Sequence, residues 1–239
     1  MLWLKSWTEV RFRFALTIFL GVYILAILLG YLPPQMAVKL KTLSSQDLGK
    51  RIWEIFVLAY GGAMLPVSAK ILAGAGINAQ TSMGMSHGFH GSMSFLLSMP
   101  VSRTRLMATR ASFGAALMLL LALATFAATV TLAPSFHVDF SSINVWAYFP
   151  NMLVVGYFFY AMAVWLSTIF DEFWAGTIGL LILGMLGGYS STTPHNWLDF
   201  ATYLLSPDPL QPLGQTLFLL MASAVQIEAA RWVVEHKEY

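Results

Sequence analysis

An all-α fold that crosses a membrane several times is what this sequence predicts, on three observations. Only 10% of its 239 residues are charged, 58% are hydrophobic, and the mean hydropathy is +0.70. A water-facing domain carries about 25% charged residues, so there is too little charge here to cover a soluble surface. Apolar runs of bilayer length recur along the chain, and the cations gather in the segments between them.

A span needs about 20 mostly apolar residues. The first such run is Phe14 to Leu32, closed by Pro33 and Pro34. Residues 1–13 before it carry Trp3 and Trp7 together with Lys5, Arg11 and Arg13. That composition suits an interfacial amphipathic helix, and a positively charged flank has the same composition. The segment MLWLKSWTEVRFRF has no separate leader with a small-residue cleavage site, so the first run is expected to stay in the membrane. The second run is Ile52 to Leu72, with Glu54 and Lys70 near its ends and Pro66 expected to kink it. Leu106 to Leu132 is the third, Val145 to Phe170 the fourth, and Phe173 to Tyr189 a short, glycine-rich fifth. Within residues 190–212, Trp197 to Leu205 is apolar but about half a span long, and Pro207, Pro209 and Pro212 follow it. A re-entrant hairpin on the outer face is expected there. Leu213 to Trp232 is the sixth run, interrupted by Gln226 and Glu228.

Six spans return both ends to one side. With that side cytoplasmic, Lys5, Arg11, Arg13, Lys70, Arg103, Arg105, Arg110, Arg231 and Lys237 lie inside, and Lys39, Lys41, Lys50 and Arg51 outside. The nine-to-four split follows the positive-inside rule. One transmembrane domain, 1–239, is expected, in the cell (plasma or inner) membrane.

The longest segment unable to span lies between the second and third runs. Within it Phe89, Met93, Leu96 and Leu97 fall at i, i+4, i+7 and i+8, one face of a helix. Gly88, Gly91, Ser92 and Ser94 make the other face small and weakly polar. Pro100 breaks this helix, and Arg103, Arg105 and Arg110 mark the start of the third run. Such a helix lies along a membrane or in a partner's groove. An ordinary interfacial loop with stop-transfer charges has the same periodicity.

The segment resembles the membrane subunit of type-2 ATP-binding-cassette exporters. Gly91-Ser92 matches that family's Gly-Thr pair, and Phe95-Leu96-Leu97-Ser98-Met99-Pro100-Val101-Ser102-Arg103 matches its Leu-Ser-x-Pro-x-Ser/Thr-Arg signature. The six-run layout and the half-length hairpin before the last run are similar too. The resemblance implies a permease subunit with a cytoplasmic coupling helix at 86–99. An ATP-binding-cassette ATPase would grip that helix through Phe89, Gly91, Ser92, Met93, Leu96, Leu97, Met99, Pro100 and Arg103. It implies a pathway formed with a second copy or a related permease, surrounded by lipid. It implies no nucleic acid, no cofactor, and no nucleotide site of the chain's own. One departure stands out: family members often carry a glutamate shortly before the Gly-Thr pair, whereas this chain has Ser86, His87, Gly88, Phe89 and His90.

Gly184 and Gly188 are spaced for close helix packing, with Gly176, Gly179 and Gly187 nearby. Trp53, Trp146, Trp174, Trp197 and Trp232 fall near run ends, where interfacial anchoring is expected. Glu54, Lys70, Asn151, Gln226 and Glu228 also lie near the ends, within snorkelling reach of water. No Gly-x-x-x-x-Gly-Lys-Ser/Thr or His-Glu-x-x-His occurs, and His87, His90, His137, His195 and His236 lack the spacing of a helical metal site. With no cysteine, thiolate sites are excluded. An integral membrane enzyme acting on lipids, or a membrane assembly factor without transport activity, are the other classes that fit this composition.

Overall fold

A computed structural model describes residues 2–39, 45–73, 102–136, 138, 140–141, 143–170, 177–179, 181–182, 185, 199–207 and 213–236. Every regular element among them is helical. The helices are α1 (Leu2–Lys39), α2 (Ser45–Ala59), α3 (Leu65–Ala73), α4 (Arg103–Leu132), α5 (Phe149–Ile169), α6 (Phe200–Leu205) and α7 (Leu213–His236). A π-helical turn, Tyr60–Met64, joins α2 to α3, and 3-10 turns at Ala133–Phe136 and Val145–Tyr148 flank the connection from α4 to α5.

Five stretches are long and apolar enough to cross a membrane: Val10–Ile27, Gly49–Ala73, Met107–Phe136, Val145–Ile169 and Leu213–His236. They correspond to the first, second, third, fourth and sixth expected runs. The fifth, Phe173 to Tyr189, lies largely outside the described residues, although Thr177–Gly179, Leu181, Ile182 and Met185 are helical.

Two boundaries differ from expectation. Residues 2–13 are continuous with the first span, and α1 runs through Pro33 and Pro34 to Lys39. At about 1.5 Å per residue a helix of 38 residues is far longer than the hydrocarbon core is thick. A proline pair therefore does not close a helix already set by the apolar run before it. In the second span, Pro66 acts through the π turn. The Leu65 N–H donates to the Tyr60 carbonyl five residues back, so the widened turn lies directly ahead of the proline. A ring that would clash with the carbonyl four residues earlier is accommodated where the backbone is already widened.

Close contacts fix the helix directions. A Cβ on Gly21 would lie 2.9 Å from Thr125, and one on Gly30 would lie 3.4 Å from the Phe136 ring, so α1 and α4 run parallel. Trp53 meets Phe126 at 5.4 Å between ring centres, whereas farther along Leu65 and Met118 both approach Gly156, each 3.5 Å from a Cβ built there. The second span is thus antiparallel to α4. Phe126 meets Phe149, and Gly114 faces the Tyr160 hydroxyl, so α5 is antiparallel to α4 as well. Thr104 donates to Glu235 at 2.7 Å, placing the last turn of α7 beside the first turn of α4.

The bundle therefore has an Arg105 end and a Trp53 end. Arg11, Arg13, Arg105 and Arg231 sit toward the first, and Lys50 and Arg51 toward the second. Both ends of the 74–101 segment, Ala73 and Ser102, fall at the Arg105 end. Helix α5 finishes at the Arg105 end, whereas α6 runs from beside Phe158 and Phe159, midway along α5, to Asn151 at the Trp53 end, next to the start of α7.

Helix α5 is the packing centre: 72% of its span is buried, against 22% for those of α1 and α7. The apolar stripe of α1 through Phe12, Leu16, Phe19, Tyr23 and Ile27 is exposed, as is that of α7 through Leu213, Leu217, Met221 and Val225. Faces of this kind suit lipid contact.

Candidate functional site

Polar groups come together in three places along the bundle. At the Arg105 end, Ser102 caps α4 by accepting from the Arg105 N–H at 3.3 Å. Arg231 pairs with Glu228 at 2.6 Å and with Glu235 at 3.7 Å, and Glu235 also accepts from Thr104. The two ion pairs lie within α7 and, being exposed, are worth only about 0–1 kcal/mol each; the Thr104 bond to Glu235 joins α4 to α7.

Midway along the bundle, the buried Tyr60 hydroxyl shares a hydrogen bond with Thr125. Tyr60 opens the π turn, so this bond ties the turn to α4. The next residue, Gly61, is buried, and a Cβ there would lie 2.8 Å from Leu204 Cδ2 and 2.9 Å from Cδ1. Leu204 of α6 thus seats in the space that the missing side chain leaves. Beside it, Gly62 has open space around it.

At the Trp53 end the short helix α6 is held on three sides. Asp199 caps it, accepting from the Thr202 N–H at 3.1 Å and the Thr202 hydroxyl at 2.7 Å. Asn151 of α5 is completely buried, and its Nδ2 donates to the carbonyls of Tyr203 at 3.1 Å and Ser206 at 2.9 Å. The Tyr203 carbonyl also accepts from the N–H of Ser206, the residue that ends α6, so Asn151 holds the C-terminal end of the helix beside that bond. From α7, Gln215 donates to the Asp199 carbonyl at 3.2 Å, and the Thr216 and Tyr203 hydroxyls are 2.9 Å apart. Burial pushes the Tyr203 phenol above its ordinary pKa of 10.0, with the Thr216 bond acting in the opposite direction.

Next to this cluster, Trp53 is fully buried among Phe56, Phe126, Phe140 and Tyr148, all within 5.8 Å between ring centres. Its Nε1 and the Asn151 Oδ1 have no partner among the described residues, and neither does the Gln226 Oε1.

These positions correct two expectations. Trp53 is not an interfacial anchor but the centre of an aromatic core, whereas Trp146 and Trp232 are exposed as anchors are. Asn151 does not snorkel; it is buried and bound to α6. Glu54 does reach outward, to Arg51 at 2.9 Å.

The expected coupling residues Phe89, Gly91, Ser92, Met93, Leu96, Leu97, Met99 and Pro100 lie outside the described residues, as do His87, His90, Gly184 and Gly188. Arg103 is described in its backbone, as the first residue of α4. The described glycines that admit a neighbouring helix closely are Gly21, Gly61 and Gly114.

Sequence reasoning passed over the Asp199 to Ser206 cluster, although Asp199 three residues before Thr202, ahead of an apolar run, is a helix-start signature. It also passed over Gly84-Met85-Ser86-His87-Gly88, which has Gly-x-Ser-x-Gly spacing. A nucleophile elbow needs a strand before that serine and a helix after it; this match follows the helix α3 and lies outside the described residues.

No protein-family model and no curated protein matches this sequence.

Proposed function

We propose that this chain is the membrane-spanning permease subunit of an ATP-driven exporter of the type-2 ATP-binding-cassette kind. It crosses the cell membrane six times with both ends cytoplasmic, and pairs with a second copy or a related permease to form the pathway. A separate ATPase subunit grips the segment 86–99.

One observation carries the proposal. The helix directions bring Ala73 and Ser102 to the same end, the one bearing Arg11, Arg13, Arg105 and Arg231. The intervening segment, with its Gly91-Ser92 pair and its Leu97-Ser98-Met99-Pro100-Val101-Ser102-Arg103 run, leaves and returns on that side. By the positive-inside rule that side is cytoplasmic. Because α5 finishes at the Arg105 end and α6 ends beside Asn151 at the Trp53 end, we count one further passage between them, the sixth. The half-length α6 then lies on the outer side, where a hairpin capping the pathway belongs.

The test is purification of the full chain from its own cells in mild detergent. An ATPase carrying a nucleotide-binding motif is expected to co-purify, with activity that responds to the permease. Leu97 lies on the apolar face of the coupling helix. Burying a leucine is worth about 1.5–3 kcal/mol, and an aspartate in its place adds the desolvation of a charge. Leu97→Asp is therefore expected to weaken the complex by about 100-fold or more. Co-purification of Leu97→Asp at wild-type stoichiometry, or the lack of any ATPase with the wild-type chain, refutes the proposal.

A further inference from the structure

We propose that the second span is a hinged lever, with the π turn Tyr60–Met64 as its hinge and Leu204 of α6 as the latch that holds the hinge closed. The inference rests on the transport reading for its purpose, because α3 leads directly into the coupling segment, but its geometry stands apart from that reading.

Four features meet at the turn. The backbone between α2 and α3 is π-helical, a form that is rare and concentrated at functional sites. Pro66 follows at once and removes a backbone donor where the helix would otherwise regain its regular ladder. Tyr60 is tied through its hydroxyl to Thr125, so the outer side of the hinge is anchored to α4. Gly61 seats the Leu204 methyl groups, which would have to shift to admit a side chain there.

The two halves of the lever are held differently. Helix α2 is fixed by Trp53, which is buried in a cage of four aromatic rings. Helix α3 rests on α5 with Gly156 opposite Leu65, and its Ser68, Ala69 and Leu72 are buried in the bundle. Small side chains at Ser68, Ala69 and Gly156 let the two helices approach closely, and α3 is the half that moves because a pull delivered through the coupling segment reaches it first. A pull on Ala73 from the cytoplasmic side then turns α3 about residues 60–64. Helix α6, tethered by Asn151 to α5 and by Thr216 and Gln215 to α7, stays behind. Leu204 leaves its seat at Gly61, and a crevice opens between the π turn and α6.

The chain has no cysteine, so spin labels can be placed at will. Labels at Val67→Cys on α3 and Leu120→Cys on α4 occupy positions 41% and 52% exposed. Their separation is read by pulsed electron paramagnetic resonance on the full chain in lipid nanodiscs. Gly61→Ala fills the seat and Leu204→Ala empties it. Both are expected to raise a second distance population at least threefold above its wild-type level, which for an ordinary two-state element is about 0.1–10%. Gly62→Ala, whose Cβ meets nothing within 4 Å, is expected to keep the wild-type distribution. Leu204→Val, a milder truncation that preserves the core, is expected to fall between. The hinge is overturned if Leu204→Ala and Leu204→Val leave the distribution unchanged, or if Gly62→Ala shifts it as far as Gly61→Ala. Because the labels are read without an ATPase, a latched hinge in a chain that binds no ATPase would remove the transport reading alone. An unresponsive hinge in a chain that does bind one would remove this inference alone.

Discussion

Asn151→Ala is the substitution whose cost can best be worked from the structure. The side chain is fully buried, and its Nδ2 satisfies the carbonyls of Tyr203 and Ser206. Two neutral hydrogen bonds contribute about 1 kcal/mol each in net terms, and truncating a buried side chain adds the cost of the cavity it leaves. Against this stands the Asn151 Oδ1, which has no partner among the described residues and whose removal returns part of that cost. The balance is a loss of about 2 kcal/mol. For a chain of this length that corresponds to a fall of about 4–8 °C in the melting temperature in mild detergent. The loss should be local before it is global, since Asn151 holds only the end of α6. Amide hydrogen exchange over Phe200–Leu205 is therefore expected to quicken by about 30-fold while exchange in α5 is unchanged. Asn151→Asp should be worse than Asn151→Ala at neutral pH, because an ionised carboxylate would face two carbonyl oxygens inside the protein. Asn151→Ala melting within about 1 °C of the wild type, with unaltered exchange in α6, would refute the reasoning.

Two further outcomes test the same end of the bundle. Trp53→Ala is expected to cost about 3–5 kcal/mol, since it empties the centre of an aromatic core. Trp53→Phe, which also removes an indole N–H without a partner among the described residues, should cost less than half as much; chemical unfolding in mixed micelles measures both. Burial raises the Tyr203 pKa above 10.0, so the folded chain keeps this proton to higher pH than the unfolded chain does. The contribution is complete below the unfolded value and is lost as pH rises through the folded one. Tyr203→Phe should therefore be less stable than the wild type near neutrality, by about 1 kcal/mol for the bond to Thr216. The difference should shrink as pH climbs above about 10, which paired melting curves across that range would record.

The fold was largely legible because apolar run length is a property of composition. The runs at Ile52, Leu106, Val145 and Leu213 begin within a few residues of the described spans. At the first run the helix continues past the prolines expected to close it, although the stretch apolar enough to span is Val10–Ile27. Pro33 and Pro34 stand inside α1, where the helix is already established by the residues before them. The roles of Trp53 and Asn151 were misread. Position along a span says how close a residue lies to the membrane surface, but not whether it faces outward. Facing is decided by contacts between distant parts of the chain, such as Trp53 with Phe126 or Asn151 with Tyr203. The Gly61 seat could not have been read at all, since its partner Leu204 lies far along the sequence and nothing local to either residue points to the other.

The two kinds of contact that hold α6 differ in a way that bears on its motion. Toward α5 and α7 the contacts include hydrogen bonds, which are directional and, in a dry interior, costly to leave unmade, beside the Phe200 ring packed on Phe158 and Phe159. Toward the second span the contact is the Leu204 side chain in the Gly61 seat. Dispersion contacts of this kind are worth only about 0.1–0.2 kcal/mol per atom pair and have no required direction. They can be broken and remade without stranding a polar group. When the second span moves, α6 should therefore remain with α5 and α7, and the parting should fall at Leu204. Asn151→Ala weakens the first kind of contact and Leu204→Ala the second, so their effects should separate. Asn151→Ala should loosen α6 while the α3 label keeps its wild-type distance, whereas Leu204→Ala should shift the α3 label while the bonds from Asn151 persist. If both substitutions moved the same label by the same amount, α6 and the second span would be one rigid unit, and the hinge would lie elsewhere.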